Sequence, residues 1–104
     1  MTEIVVSLDL DGVVDKAGLM DRCARALDLP DWFGRNWDAL AESLADHDLW
    51  PREAVERGRV IVVRNWRPYA GARPADWETA REVFGDAMRA TTGLTIALAL
   101  GGNS

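Results

Sequence analysis

An α/β fold, with a small three-stranded parallel sheet packed with helices, is predicted by three observations. Apolar runs at residues 3–10 ("EIVVSLDL"), 59–65 ("RVIVVRN") and 94–100 ("LTIALAL") favour strands covered on both faces, because they are too apolar for half-exposed strands. Segments with helical periodicity separate these runs, and strands joined by helices pair in parallel. The length of 104 residues predicts one domain, residues 1–104.

The first helix is predicted from about residue 16 to residue 28. Leu19, Cys23 and Leu27 repeat at four-residue spacing, and Asp15 is a suitable N-cap. A second helix is expected to begin near Asn36, and residues 50–58 ("WPREAVERG") add a short third helix.

The last helix is predicted from about residue 75 to residue 91, with Gly93 in the C′ position that ends many helices. Its apolar residues share one face: Trp77, Ala80, Phe84, Ala87 and Met88. Residues 66–74 ("WRPYAGARP") are rich in Pro, Gly and Arg and are predicted to form a loop.

Composition favours a globular cytoplasmic protein that needs no cofactor or metal. Hydrophobic residues make up 48% of the chain, which argues against disorder. No apolar run approaches the ~20 residues of a membrane-spanning helix, and no secretory signal is visible. Cys23 is the only cysteine, so an internal disulfide is impossible and a reducing compartment fits best. One His and one Cys do not support a zinc site.

The net charge of −5 is concentrated in one segment of the chain. Residues 28–48 contain six acidic residues and a single base, Arg35, and so account for the whole surplus. A localised acidic field repels nucleic acid and anionic membranes and attracts basic partners. The alternative is a solvated helix face without a partner.

Asp9, Asp11 and Gly12, at the end of the first predicted strand, raise the possibility of a phosphatase. Phosphatases of the haloacid dehalogenase type begin in a similar way, with one Asp attacking the phosphate and a second acting as the acid. That chemistry also needs a distant Lys and further carboxylates for magnesium, whereas the only Lys here is Lys16. The other interpretation is a strand-to-helix turn with Gly12 at the bend.

The second helix is predicted to have one apolar face and one acidic face. The apolar stripe consists of Trp37, Leu40 and Leu44, and the acidic row consists of Asp38, Glu42 and Asp46. Like charges at four-residue spacing destabilise a helix by about 0.2–0.5 kcal/mol per pair, which favours a basic partner for the row. Trp32, on the polar turn before the helix, is predicted to contact that partner.

Residues 29–44 ("LPDWFGRNWDALAESL") resemble the signature of the barstar family of intracellular ribonuclease inhibitors. The shared pattern is Leu-Pro, two aromatic residues, Gly, Asn, Asp-Ala-Leu, an acidic residue and Leu, in fixed spacing. The resemblance is weaker elsewhere: a first strand followed by "LDG", a middle strand ending in Asn65-Trp66, and "VFGDAM" before the last strand. The fold of that family agrees with the fold predicted above.

The resemblance implies an inhibitor, and not an enzyme, that plugs the active site of a secreted, basic, guanyl-specific (barnase-type) bacterial ribonuclease. A monomer would form a 1:1 complex, with the second helix and its preceding turn in the cleft and the acidic row in the place of RNA phosphates. Glu42 would be the central phosphate mimic, Asp38 its neighbour and Asp46 a contact at the rim. Further contacts would come from Trp32, Gly34, Asn36, Trp37 and, at the periphery, Asp86.

Three residues depart from the family pattern. Glu42 stands where the best-known member has Asp, and Ala41 and His47 stand where aromatic contacts are common. An acidic immunity or binding domain for another basic toxin therefore stays open as an alternative to the ribonuclease inhibitor.

Overall fold

Three parallel strands form one sheet in the computed structural model, which describes residues 3–29, 34, 36–46, 50 and 52–99, without the side chains of residues 53–55. The strands are β1 (Ile4–Asp9), β2 (Arg59–Arg64) and β3 (Leu94–Leu98), in the order β1-β2-β3. The helices are α1 (Lys16–Ala26), α2 (Trp37–Ala45), α3 (Arg52–Arg57), α4 (Arg67–Ala72) and α5 (Pro74–Ala90). The predicted fold class is confirmed.

Strand β2 lies at the centre of the sheet and pairs in parallel with both neighbours. Backbone hydrogen bonds extend the ladder at its N-terminal end, where Ile4 N donates to Gly58 O at 2.9 Å and Arg59 N donates to Gly93 O at 2.7 Å. Gly58 (φ +91°) and Gly93 (φ +84°) both have left-handed backbone conformations, which a side chain would strain. The two glycines therefore allow the turns from which β2 and β3 begin.

The hydrophobic core lies on one face of the sheet, where Ile61, Val63, Leu94 and Ile96 are buried. Residues on the other face are exposed or half-buried: Val5, Ser7, Val60, Val62, Thr95 and Ala97. Val5 is 60% exposed. The prediction that the strands are covered on both faces is therefore wrong for β1 and β3. Apolar runs do not reveal how many faces are covered, because small and β-branched residues also occupy solvent-facing sheet positions.

Helix α1 begins with the predicted cap, since Asp15 Oδ1 accepts a hydrogen bond from Gly18 N at 2.8 Å. The helix ends at Ala26, two residues before the predicted end, and Asp28 turns the chain with a left-handed φ of 51°. Cys23 is buried as predicted, and burial raises the pKa of its thiol to about 12.

Helix α4 corrects the prediction of a loop over residues 66–74. Pro68 lies in the first turn of α4. N–H groups in the first turn make no hydrogen bond within the helix, so a proline, which lacks the N–H, is tolerated there. Pro74 begins α5 in the same way. Tyr69 is fully buried, which anchors α4 to the core. The prolines that suggested a loop are thus helix-initiating residues.

Helix α5 follows the predicted bounds to within one residue. Its C-cap is Thr91, so Gly93 lies two residues after the cap and the predicted C′ position is wrong. One face buries Trp77, Ala80, Val83, Phe84 and Ala87. Within the described ranges, no helix is both long and apolar enough to cross a membrane.

An aromatic cluster joins α4 and α5 to the sheet. The rings of Trp66 and Trp77 stack with centroids 5.3 Å apart, and Tyr69 meets Trp77 edge-on at 6.2 Å. Trp66 Nε1 donates to Ala99 O, just after β3, at 3.0 Å. Trp77 thus lies on the apolar face predicted for the last helix, and Trp66 packs beside it. Burial is the main reason that the pKa of Tyr69 is raised to about 12.

Candidate functional site

The start of α2 is fixed by the side chain of Asn36. Its Oδ1 accepts a hydrogen bond from Ala39 N at 2.7 Å, and its Nδ2 donates to Gly34 O at 3.3 Å. The first bond satisfies an N–H group at the helix N-terminus that has no intrahelical partner. The second joins the carbonyl group of Gly34 to the start of the helix. The prediction that a helix begins near Asn36 is confirmed, and Asn36 is its N-cap.

The two faces of α2 are as predicted at four positions but are less sharply divided at Trp37 and Asp46, which are both half-buried. Leu40 and Leu44 are fully buried, and α2 packs against α5. Asp38 and Glu42 are exposed. Trp37, the first residue of the helix, is only half-buried and keeps part of its surface open to solvent.

The exposed side of α2 forms an open surface concavity of ≈ 490 Å³. Its lining residues are Asn36, Trp37, Asp38, Ala39 and Glu42. Four of the eight residues predicted to bind a partner therefore lie around one depression, with two carboxylates, an amide and an indole. Such a surface can accept cationic or hydrogen-bond donor groups from a partner at the carboxylates and a flat group at the indole.

Lys16 lies beside this site, a position that the sequence did not indicate. Its Nζ lies 6.0 Å from the centroid of the Trp37 ring, at the limit of a cation–π contact. Lys16 begins α1, and the spacing along the chain gives no sign that it meets α2. Lys16 therefore places a cation at the edge of the acidic face.

The C-terminal end of α2 is tied to the sheet through two residues that sequence reasoning also missed. Trp50 Nε1 donates to Leu44 O at 3.4 Å, which satisfies a carbonyl in the last turn of α2. The Trp50 ring lies 5.0 Å from the guanidinium carbon of Arg59. Arg59 is fully buried at the start of β2, where its Nη2 donates to Thr91 Oγ1 at 3.3 Å and to Thr92 O at 3.2 Å. Burial lowers the pKa of Arg59.

Three of the remaining predicted contact residues lie outside the concavity. Gly34, two residues before the N-cap of α2, is exposed, and Asp46 is the half-buried C-cap of α2. Asp86 is exposed on α5, the helix that packs on α2, and it forms an ion pair with Arg89. Trp32, Arg35 and His47, which are named above, lie outside the described residues.

Asp9 and Asp11 form a turn at the end of β1. Asp9 Oδ1 accepts hydrogen bonds from Asn65 Nδ2 at 2.8 Å and from Asp11 N at 2.9 Å, and these bonds hold the pKa of Asp9 below its usual value. Arg22 Nη1 donates to Asp9 O at 2.8 Å, and Gly12 follows with a left-handed φ of 80°. In the part of the chain that is described, no three His, Cys, Asp or Glu side chains are grouped to hold a metal ion.

Comparison with known proteins identifies one family. The family model described as Barstar (barnase inhibitor) matches residues 4–100. The match covers every described strand and helix, including α2, and the residues before α2 that carry the family signature. No curated protein sequence matches the chain at a significant level.

Proposed function

Because the chain belongs to the barstar (barnase inhibitor) family, we propose that it inhibits a secreted guanyl-specific ribonuclease of the barnase type by placing α2 and its preceding turn in the active site. The observation that carries this proposal is the concavity on the exposed side of α2. There Asp38 and Glu42 project from one turn of helix to the next beside Asn36 and Trp37. Carboxylates at this spacing take the place of RNA phosphates against the cations of a ribonuclease cleft.

Charge distribution supports an acidic plug. All five surplus negative charges fall within residues 28–48, and Asp38 and Glu42 of this segment are exposed on α2. A cleft lined with basic residues attracts such a surface over a Debye length, about 8 Å at physiological ionic strength. Association is therefore steered electrostatically, while the close contacts set the dissociation rate.

Within the proposed complex, the residues contribute to binding to different extents. Glu42 is the central phosphate mimic, since it lies at the family's acidic position on the exposed face of α2. Asp38 is its neighbour one turn earlier, and Asn36 and Gly34 contribute contacts from the turn. Trp32, Trp37, Asp46 and Asp86 contribute contacts around them. The protein acts as a monomer in a 1:1 complex and works in the cytoplasm of the cell that secretes the enzyme.

The test is a titration of purified secreted barnase-type ribonucleases with the chain, with RNA cleavage as the readout. Activity of the cognate enzyme should fall in proportion to added chain and reach zero at a 1:1 ratio. A basic ribonuclease of unrelated fold serves as the control and should retain its activity. Raising the salt concentration should slow association strongly and change dissociation much less.

Two results would refute the proposal. One is an absence of inhibition across the barnase-type enzymes at concentrations well above micromolar. The other is an association rate that does not respond to salt, because an acidic plug cannot bind a basic cleft without that response.

A further inference from the structure

Arg59 is a buried cation with an incomplete set of hydrogen-bond partners. Its side chain is fully buried at the start of β2, and its two hydrogen bonds go to neutral acceptors, Thr91 Oγ1 and Thr92 O. In the described part of the chain, neither Nε nor Nη1 has a hydrogen-bond partner. Burial of a charged group is strongly unfavourable unless its hydrogen bonds are satisfied, and apolar residues of similar volume can often replace such groups without loss of stability. Stability of the core alone therefore does not explain an arginine at this position.

The guanidinium of Arg59 holds the indole of Trp50 in place. Its carbon lies 5.0 Å from the centroid of the Trp50 ring, within the range of a cation–π contact, and such contacts are strongest where water is excluded. The hydrogen bonds from Nη2 fix the same group to Thr91 and Thr92, directly after α5. A planar guanidinium that is fixed at one edge presents its face to an indole in few orientations. The position of Trp50 therefore depends on the sheet and on the end of α5.

Trp50 in turn holds the last turn of α2. The carbonyl groups at the end of a helix lack partners within it, and Trp50 Nε1 donates to one of them, Leu44 O, at 3.4 Å. Asp46 N donates to the Ser43 carbonyl, also at 3.4 Å. Both bonds are long and therefore weak, so the turn has little local support of its own. Glu42 lies in this turn, two residues before Leu44, and a displaced indole would loosen the backbone that carries it.

We propose that Arg59 is a positioning residue for the binding face of α2. Through Trp50 it holds the turn that carries Glu42, although its own burial lowers the stability of the fold as a whole. A binding surface that is already ordered loses less conformational freedom when the partner binds, so Arg59 slows dissociation of the complex. The effect on binding rests on the proposed function, whereas the effect on α2 rests on the contacts within the chain.

Two substitutions in β2 separate positioning of α2 from general support of the fold. Arg59→Met removes the charge and keeps an unbranched side chain. Arg64→Met is its matched control, because it removes an exposed arginine at the other end of the same strand and changes the net charge equally. In urea unfolding, Arg59→Met should be at least as stable as the wild type.

Native-state hydrogen exchange measures the local effect on α2. In Arg59→Met, the amides of residues 43–46 should exchange roughly tenfold faster than in the wild type, or more, while the amides of α5 should not exchange faster. Arg64→Met should match the wild type in both elements. An arginine that only supported the fold would instead lower the unfolding free energy when it is replaced, and exchange would accelerate throughout the chain.

A double-mutant cycle tests the path through Trp50. Trp50→Phe keeps a ring for Arg59 to stack on and removes the Nε1 donor to Leu44 O. It should accelerate the exchange of residues 43–46 as Arg59→Met does, and the two substitutions together should add little to either alone. Arg59→Lys, which keeps the cation but not the planar fork, should restore part of the protection that is lost in Arg59→Met.

Binding to the cognate ribonuclease gives the functional readout. Arg59→Met should dissociate roughly tenfold faster than Arg64→Met, and the two variants should associate at similar rates. If the wild type inhibits no barnase-type enzyme, the proposed function fails, and the exchange and cycle measurements still decide whether Arg59 positions α2. If the wild type inhibits and Arg59→Met dissociates as slowly as Arg64→Met, only the positioning role is refuted.

Three results within the free chain would also overturn the positioning role. The first is an Arg59→Met variant that is less stable than the wild type or does not fold. The second is exchange of residues 43–46 that is unchanged, or that accelerates no more than exchange in α5. The third is a cycle in which the effects of Arg59→Met and Trp50→Phe simply add.

Discussion

Replacing Asn36 with Ala removes both hydrogen bonds that organise the start of α2. The Oδ1 acceptor, 2.7 Å from Ala39 N, is a helix N-cap, and loss of such a cap costs about 1 kcal/mol, with a range of roughly 0.5–2. The Nδ2 donor lies 3.3 Å from Gly34 O and is exposed to competing water, so its loss adds at most about 0.5 kcal/mol. Asn36 is exposed, so the substitution leaves no cavity.

The expected loss in unfolding free energy is therefore about 1–1.5 kcal/mol. For a domain of this size it corresponds to a fall in Tm of roughly 5–8 °C. Urea unfolding followed by circular dichroism measures the loss, and the m value should not change because the buried surface is unaltered.

Asn36→Asp is the matched control. Aspartate keeps the acceptor for Ala39 N and adds a negative charge that the helix N-terminus favours by about 0.3–1 kcal/mol, while only the bond to Gly34 is lost. Its stability should lie within about 0.5 kcal/mol of the wild type. Equal losses in the Ala and Asp variants, or an Ala variant as stable as the wild type, would refute the assignment of Asn36 as the cap.

Three further outcomes are expected. Glu42→Ala should weaken binding to the cognate ribonuclease by about 2–5 kcal/mol, roughly two to four orders of magnitude, mostly through faster dissociation. The Glu42→Ala variant should be as stable as the wild type or slightly more stable, because the repulsion between Glu42 and Asp38 is relieved. If Glu42→Ala and Asp46→Ala weaken binding to the ribonuclease equally little, the central role of Glu42 is contradicted. Asp9→Asn should leave inhibition unchanged and lower the urea midpoint near neutral pH. Hydrogen bonds to Asn65 and to the backbone lower the Asp9 pKa in the folded state, so its contribution is present above the unfolded pKa and disappears as pH falls through the folded pKa. Magnesium-dependent hydrolysis of a phosphate ester that Asp9→Asn abolishes would instead support the phosphatase alternative. Cys23, with a pKa of about 12, should react with iodoacetamide at about pH 8 only as fast as the chain unfolds, and rapid modification of the native chain would show that the thiol is accessible.

The fold could be predicted from local patterns where those patterns are strong. Three apolar runs located the strands, and Asp15 and Asn36 located two helix starts. Residues 66–74 were misassigned because Pro68 and Pro74 break a helix interior but suit its first turn, and the sequence does not show which position they occupy. Coverage of only one sheet face depends on where helices pack, which local periodicity does not encode.

The acidic face of α2 was predictable, since four-residue spacing places Asp38 and Glu42 together on any helix. The contacts that cross between elements were not. Lys16 meets Trp37 from another helix, and Arg59 supports Trp50 from the sheet, so each depends on packing between distant parts of the chain. Lys16, Trp50 and Arg59 all lie outside residues 29–44, which carry the family signature, so the signature did not indicate either contact.

The parallel order β1-β2-β3 has a consequence for synthesis on the ribosome. Strand β2 is made about 55 residues after β1, a delay of roughly 3–11 s at about 5–20 residues per second. During that interval β1 has no strand to pair with, and only local structure such as α1 and α2 can form. The helix that carries the acidic face is thus translated before the sheet is complete and before α5, on which it packs. Each later strand then adds beside the one made before it, without rearrangement of the earlier pair.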